Sequence, residues 1–354
     1  MIQAYKMKNK NIFRSLYLVG AMSILGFLLF KMDFLTYIVR QGQGQFYILW
    51  NARPIELLMD QPETNDTLIA KFKLIADVKS FAIEELGMKS SNSYTSYFDQ
   101  GGKPLMWVVT GCKPYAFEPK QWSFPIVGEV PYKGFFDRDL AQKELATVEA
   151  EGYESGLRTA AGWSTLGWFD DPILSEMLSG STGDIVNLII HELAHSTVFL
   201  ESDVEFNENL ATFIGDVGTL LYLEKKFGTK HDEYSGYLKA EKDYKSYVAH
   251  MLRGADGLDS LYFSFKEEWG EDKKRKLKEE FIKKITKFVD TLSLNKKEVY
   301  GTIFKEKLPN NTYFMSVKRY RTDQDDFYDT LQNLYHGNLK AYILYMKEKF
   351  ETEE

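Results

Sequence analysis

The sequence predicts a mainly helical α+β fold, with a small sheet packed on one motif-bearing helix and one N-terminal transmembrane helix ahead of it. Three observations carry that expectation. Helical periodicity dominates residues 43–90 and nearly everything after residue 181. Residues 92–136 interleave Tyr94, Tyr97, Trp107, Val108, Val109 and Trp122 with Gly and Pro, which is strand-and-turn composition. Ser15–Phe30 is a run of 16 residues without a charge. Hydrophobic residues make up 44% of the 354, enough for a packed core and too many for a disordered chain. A net charge of -7 removes the electrostatic basis for a nucleic-acid partner.

In chain order, the apolar run follows Lys6, Lys8, Lys10 and Arg14, and beyond Lys31 the stretch MDFLTYIV continues to Arg40. No small-x-small cleavage site follows, so residues 1–40 read as an uncleaved signal anchor, with cleavage as the alternative. The positive-inside rule then places residues 41–354 outside the cytoplasm, as the extracytoplasmic (periplasmic) domain of a single-pass cell-membrane protein. That region reads as one domain: helical over 41–90, strand-rich over 91–136, a helix pair over 181–228 and a helical remainder over 229–354. A strand is expected at Leu105–Thr110, a helix over Asp137–Gly152, and an edge strand at Thr165–Phe169 ending at Asp170-Asp171-Pro172. Ser181, Thr182 and Asp184 are capping candidates for the next helix, and Gly228 stops the one after it.

The helix over Gly183–Leu200 carries His191-Glu192-Leu193-Ala194-His195. Residues four apart share a helix face, so both imidazoles can address one metal ion, with Glu192 beside them as a proton acceptor. Cys112 is the lone cysteine, which excludes a thiolate zinc site and an intrachain disulfide. One zinc ion per chain is therefore expected, and it needs a third protein ligand. Glu201, Asp203, Glu205 and Glu208 are the acids just downstream. A Glu201 ligand needs a glycine to turn the chain after the helix, and Val198 stands there instead. Glu208 shares its helix face with Ala211, Thr212, Gly215, Gly218 and Thr219. That small-residue stripe lets the helix approach its neighbour closely, although a first-turn glutamate is also favoured by the helix dipole alone.

His-Glu-x-x-His followed by Asn207-Glu208-Asn209-Leu210-Ala211 resembles the gluzincin metallopeptidases, with a short link of twelve residues between His195 and Glu208. Further blocks extend the likeness along the chain: Gly44-Gln45 with Arg53-Pro54-Ile55, the segments Trp122–Gly128 and Pro131–Phe136, Ser164–Pro172, and Asn310-Asn311. Together they resemble a bacterial family of predicted aminopeptidases, membrane-associated or lipoproteins, although this chain has no N-terminal cysteine to acylate. The resemblance implies a zincin-like metallopeptidase domain whose metal ligands are His191, His195 and Glu208 and whose general base is Glu192. It also implies a Tyr or His donor to the developing oxyanion. Tyr320 is the choice, with His231, His250 and His336 as competitors. The expected activity is zinc-dependent hydrolysis of a peptide or protein substrate, as an aminopeptidase. An endopeptidase of cell-envelope proteins and a non-enzymatic assembly module are the alternatives. Asp170, Asp171, Asp203 and Glu205 are available to hold a substrate α-amine.

Overall fold

The computed structural model describes residues 35–124, 128–160, 170–201, 203–321 and 323–351. Its first helix, α1 (residues 35–51), is followed by β1 (Arg53–Pro54), α2 (Ile55–Met59), α3 (Asp66–Glu84), β2 (Ser96–Phe98) and β3 (Trp107–Cys112). Then come β4 (Trp122–Phe124), β5 (Gly128–Val130), β6 (Tyr132–Phe135), α4 (Arg138–Ala150), β7 (Glu154–Thr159) and β8 (Ile173–Leu174). The remainder is helical: α5 (Thr182–Thr197), α6 (Val204–Phe227), α7 (Asp232–Phe263), α8 (Glu271–Phe288), α9 (Lys297–Gly301), α10 (Asn311–Arg321), α11 (Gln324–Tyr335) and α12 (Leu339–Glu351). The protein is a mainly helical α+β structure.

The expectation of a preceding transmembrane helix, and with it a single-pass membrane location with an extracytoplasmic domain, is corrected. No helix among the described residues is long and apolar enough to cross a membrane. The run Ser15–Phe30 lies outside the described residues. The apolar continuation into residues 35–39 has a different use. Within α1, Tyr37 is buried against Phe135 (ring centroids 5.3 Å apart) and Phe124 (6.1 Å), and Ile48 is fully buried in the main core. This segment is a surface helix docked on the globule, with Arg40, Gln41, Gln43 and Gln45 interrupting its apolar side.

The strands form three small sheets: β1-β2-β8, β6-β3-β7 and β4-β5. The expected sheet on the motif helix is thus replaced by a helical sandwich. Helix α5 lies between α3 and α6, burying Ile185, Ile189, Ile190 and Leu193 with Phe72, Ile75 and Val78 of α3 and Leu210, Phe213 and Ile214 of α6. Each such fully buried side chain contributes roughly 1.5–3 kcal/mol, so the position of α5 is fixed by packing.

The β6-β3-β7 sheet is antiparallel throughout and uses its two faces differently. Val109, Phe135 and Leu157 belong to the core under α4, with Ala141 and Val148. Strand alternation sends Val108, Gly134 and Arg158, which pair in one row, to the opposite face. Tyr132, paired with Thr110 two residues along β3, lies on that same face.

A third core unites α7, α8 and α10 through Tyr247, Met251, Leu258, Ile285 and Phe314. Lys278 of α8 is buried and bonds Glu154 Oε1 and Pro114 O, both at 2.6 Å. This pair ties α8 to the start of β7. Asn311 opens α10 and is fully buried. Its Nδ2 donates to Lys113 O (2.8 Å), its Oδ1 accepts from Tyr262 OH (2.7 Å), and its N–H donates to Glu154 Oε2 (2.8 Å). The Asn310-Asn311 block is therefore a structural rivet that sets where α10 begins and, ten residues on, where it ends.

Candidate metal centre

Ser181 and Asp184 form a reciprocal capping box at the start of α5, as their spacing suggested. Further along the same helix, His191 and His195 turn toward α6. The approach of α6 depends on its small residues. A Cβ added at Gly215 would lie 3.4 Å from His191 Cβ, and one at Gly218 would lie 3.1 Å from Ile190 Cγ2. Asp203 caps α6 by accepting from Phe206 N at 2.9 Å, and Asn207 fastens the connecting loop through Leu200 N (2.8 Å) and Leu200 O (2.7 Å). This brings Glu208 to the histidines.

His191 Nε2, His195 Nε2 and Glu208 Oε2 form a triangle with edges of 3.1, 3.5 and 3.6 Å. They are the one group of three or more His, Cys, Asp or Glu residues among those described that could hold a metal. A tetrahedral zinc site with bonds of about 2.0–2.1 Å has ligand–ligand edges of about 3.3–3.4 Å. The donor set therefore fits zinc in both chemistry and spacing. Two imidazole nitrogens this close cannot both donate, so a shared cation resolves a contact that would otherwise set lone pairs against one another and against a carboxylate.

The electrostatics agree with a built charge site. Burial alone would raise Glu208, but hydrogen bonds and charge from His191 and His195 hold its carboxyl far below the usual carboxylate range. Burial would lower His195, and Glu208 more than offsets this, so the imidazole is raised. Glu192 is raised above its ordinary value by loss of water, against the opposing charge of both histidines. Behind it stand buried Asp171 and Tyr94, whose charge and phenol both couple to Glu192.

The triangle opens into a cleft of about 1040 Å³ between the α5–α6 pair and the face of the β6-β3-β7 sheet turned away from α4. Tyr320, near the end of α10, lines it together with Tyr132. Burial, then the charge of Glu208, raises the phenols of both. Farther along the α5–α6 seam, Asp216 pairs with Arg321 and accepts from Asn187 Nδ2 at 2.9 Å. Glu241 of α7 lines the same end and is raised by burial and by Asp216. Lys245 Nζ lies 3.2 Å from its Oε1 without hydrogen-bond alignment.

The other residues singled out by sequence fall elsewhere. His231 caps α7, His250 Nε2 bonds Ile285 O at 2.8 Å, and His336 is the left-handed cap of α11. Glu201 is exposed after α5, outside the donor triangle. Asp170, Asp171, Asp203 and Glu205 do not line the cleft, and Thr165–Phe169 lies outside the described residues. Sequence reasoning missed Tyr132, Arg158, Asp216 and Glu241. Of these only Asp216 carried a signal, since it sits eight residues after Glu208 on the same helix face.

The family described as "Putative aminopeptidase" matches residues 36–353. The chain belongs to that family. No curated protein and no solved structure matches it. The family match covers nearly the whole described fold, so the cleft, the donor triangle and all its walls lie within the aminopeptidase-family region.

Proposed function

We propose that the protein is a zinc-dependent peptidase, and that its gluzincin-like centre consists of His191, His195 and Glu208 as ligands with Glu192 as general base. The observation that carries the reading is the donor triangle, whose edges suit zinc, with an unliganded glutamate next to it in sequence and facing the same cleft. Membership of the aminopeptidase family supports peptide hydrolysis, with an aminopeptidase as the preferred form.

Bound at the triangle, zinc supplies a Lewis acid that brings water ionisation toward neutrality and polarises a carbonyl. The remaining steps belong to the chain. Glu192 accepts the proton of the attacking water and passes it to the leaving amine. Its raised carboxyl places its basicity closer to neutral pH than an exposed glutamate would. Tyr320 keeps its phenolic proton, because burial and Glu208 oppose ionisation, and donates to the oxyanion that develops on the substrate. The walls of the cleft exclude water and hold the peptide.

Metal analysis of purified protein, paired with a peptide-library cleavage profile of wild type and Glu192→Gln, tests the reading. Near one zinc per chain in both, with cleavage lost in the variant by about 10²–10⁴-fold, is the expected result. A folded wild type without bound metal, or equal cleavage by the two proteins, refutes it.

A further inference from the structure

The sheet wall of the cleft carries positive charge that the proposed chemistry does not use. Arg158 stands in the row Gly134–Val108–Arg158 on the cleft face, and its guanidinium has no hydrogen bond or ion pair among the described residues. The glycine at the other end of the row is covered by Met106, whose sulfur would lie 2.8 Å from an added Cβ. Across from this row, Arg319 of α10 is 5% exposed, with its guanidinium 5.6 Å from the ring centre of Tyr132. Arg319 Nη1 is buried without a hydrogen-bond partner, and no carboxylate pairs with it among the described residues. Burying a guanidinium costs free energy unless an anion compensates. The near carboxylate is Glu208, but its hydrogen bonds go to His191 and His195. Both arginines act on the phenols of Tyr132 and Tyr320, the same two that feel Glu208. Arg158 thus lines the same cleft as His191, Glu192 and Glu208, with its exposed guanidinium free to meet a substrate group there.

We infer that this wall is a carboxylate subsite: Arg158, backed by Arg319 and flanked by Tyr132, receives an anionic group of the substrate close to the bond being cut. The planar guanidinium fork suits a carboxylate. Two sources share that chemistry, the free C-terminus of a short peptide and the side chain of Asp or Glu. The inference rests on the peptidase reading for what carries the carboxylate.

The test is calorimetric binding to the full, zinc-loaded chain carrying Glu192→Gln, which prevents turnover. Alanyl-alanine is compared with its C-terminal amide, and N-acetyl-aspartate α-amide with N-acetyl-asparagine α-amide. At least one acid is expected to bind about tenfold more tightly than the partner that lacks its carboxylate, as a charge-assisted contact requires. The pair that differs identifies the source. Arg158→Met, at an exposed position that leaves the fold intact by circular dichroism, should abolish that difference while leaving affinity for the amide unchanged. Equal binding of acids and amides, or an Arg158→Met variant that retains the difference or weakens both partners alike, overturns the subsite. The peptidase reading fails separately, by absence of cleavage when Glu192 is intact, and that result would leave an Arg158-dependent binding difference standing.

Discussion

Replacing Gly215 with valine tests whether the metal donors are held by the approach of α5 and α6. A Cβ on Gly215 would meet Asn187 Nδ2 at 3.3 Å, Asn187 O at 3.4 Å and His191 Cβ at 3.4 Å. Alanine therefore fits after shifts of a few tenths of an ångström. Valine adds two carbons about 1.5 Å beyond Cβ, and a helix confines its χ1 essentially to one rotamer. At least one of those carbons presses on Asn187 or His191, and relief requires α6 to retreat by about 1 Å. The Glu208 Oε2 contacts, now 3.5 and 3.6 Å, then open well past the edge of about 3.4 Å that a zinc tetrahedron supplies. Overpacking should cost about 1–3 kcal/mol of stability. Zinc affinity should fall by about a hundredfold, comparable to or beyond the loss from removing a supporting residue. Gly215→Ala should stay near wild type in both. Competition against a chromophoric chelator reads the affinity, and thermal melting reads the stability. A folded Gly215→Val variant with wild-type zinc affinity would refute the argument, because helix spacing would then not set the triangle.

Three further outcomes follow from the same geometry. Tyr320→Phe should lower kcat by about 10²–10³-fold with KM little changed, as loss of an oxyanion donor does; steady-state kinetics beside Tyr132→Phe will show which phenol is used. In metal-free protein, the raised Glu192 carboxyl means that its ionised form destabilises the fold. Glu192→Gln should therefore stabilise at pH 7, and the gain should fade as pH falls through that raised value and vanish below 4.5, where both folded and unfolded chains hold the proton. Urea melts in chelator across pH 4.5–8 check this, and a gain that grows on acidification contradicts it. Glu154→Ala leaves buried Lys278 without its carboxylate and Asn311 N–H without its acceptor. Removing one partner of a buried pair costs about 3–5 kcal/mol, reduced here because Glu154 is partly exposed. A denaturant midpoint equal to wild type would show the pair to be inert.

The donor residues were legible in the sequence because helix geometry alone relates them. His191 and His195 need only the four-residue period, and Glu208 needs only that a small-residue face implies a close neighbour. The caps at Ser181 and Gly228 were legible for the same local reason. Tyr132, Arg158 and Glu241 were not, because their shared cleft depends on which sheet face and which turn of α7 point inward. The pairing of Val108 with both Gly134 and Arg158 decides that, and it joins residues far apart in the chain. The sheet expected on α5 failed because β-rich composition between 92 and 136 says that strands exist, not what they cover. The apolar residues 35–39 misled in a related way. Hydropathy cannot distinguish a lipid-facing segment from one whose Tyr37 packs under a sheet.

The rivet at Asn311 has a consequence for the order in which the site comes into being. The metal donors lie within one helical hairpin, and a contact such as that between His195 and Glu208 closes only a short loop. The Asn311 bond to Lys113 O instead spans 198 residues, and Tyr320 reaches the cleft only once that bond's end of α10 is seated. Closing a loop that long is entropically dearer and slower than closing the hairpin. During synthesis the donor triangle can therefore assemble while the wall that carries Tyr320 is still unmade. On the proposed function, a nascent chain would hold its three donors together before the cleft is complete, and activity would await docking of the C-terminal helices.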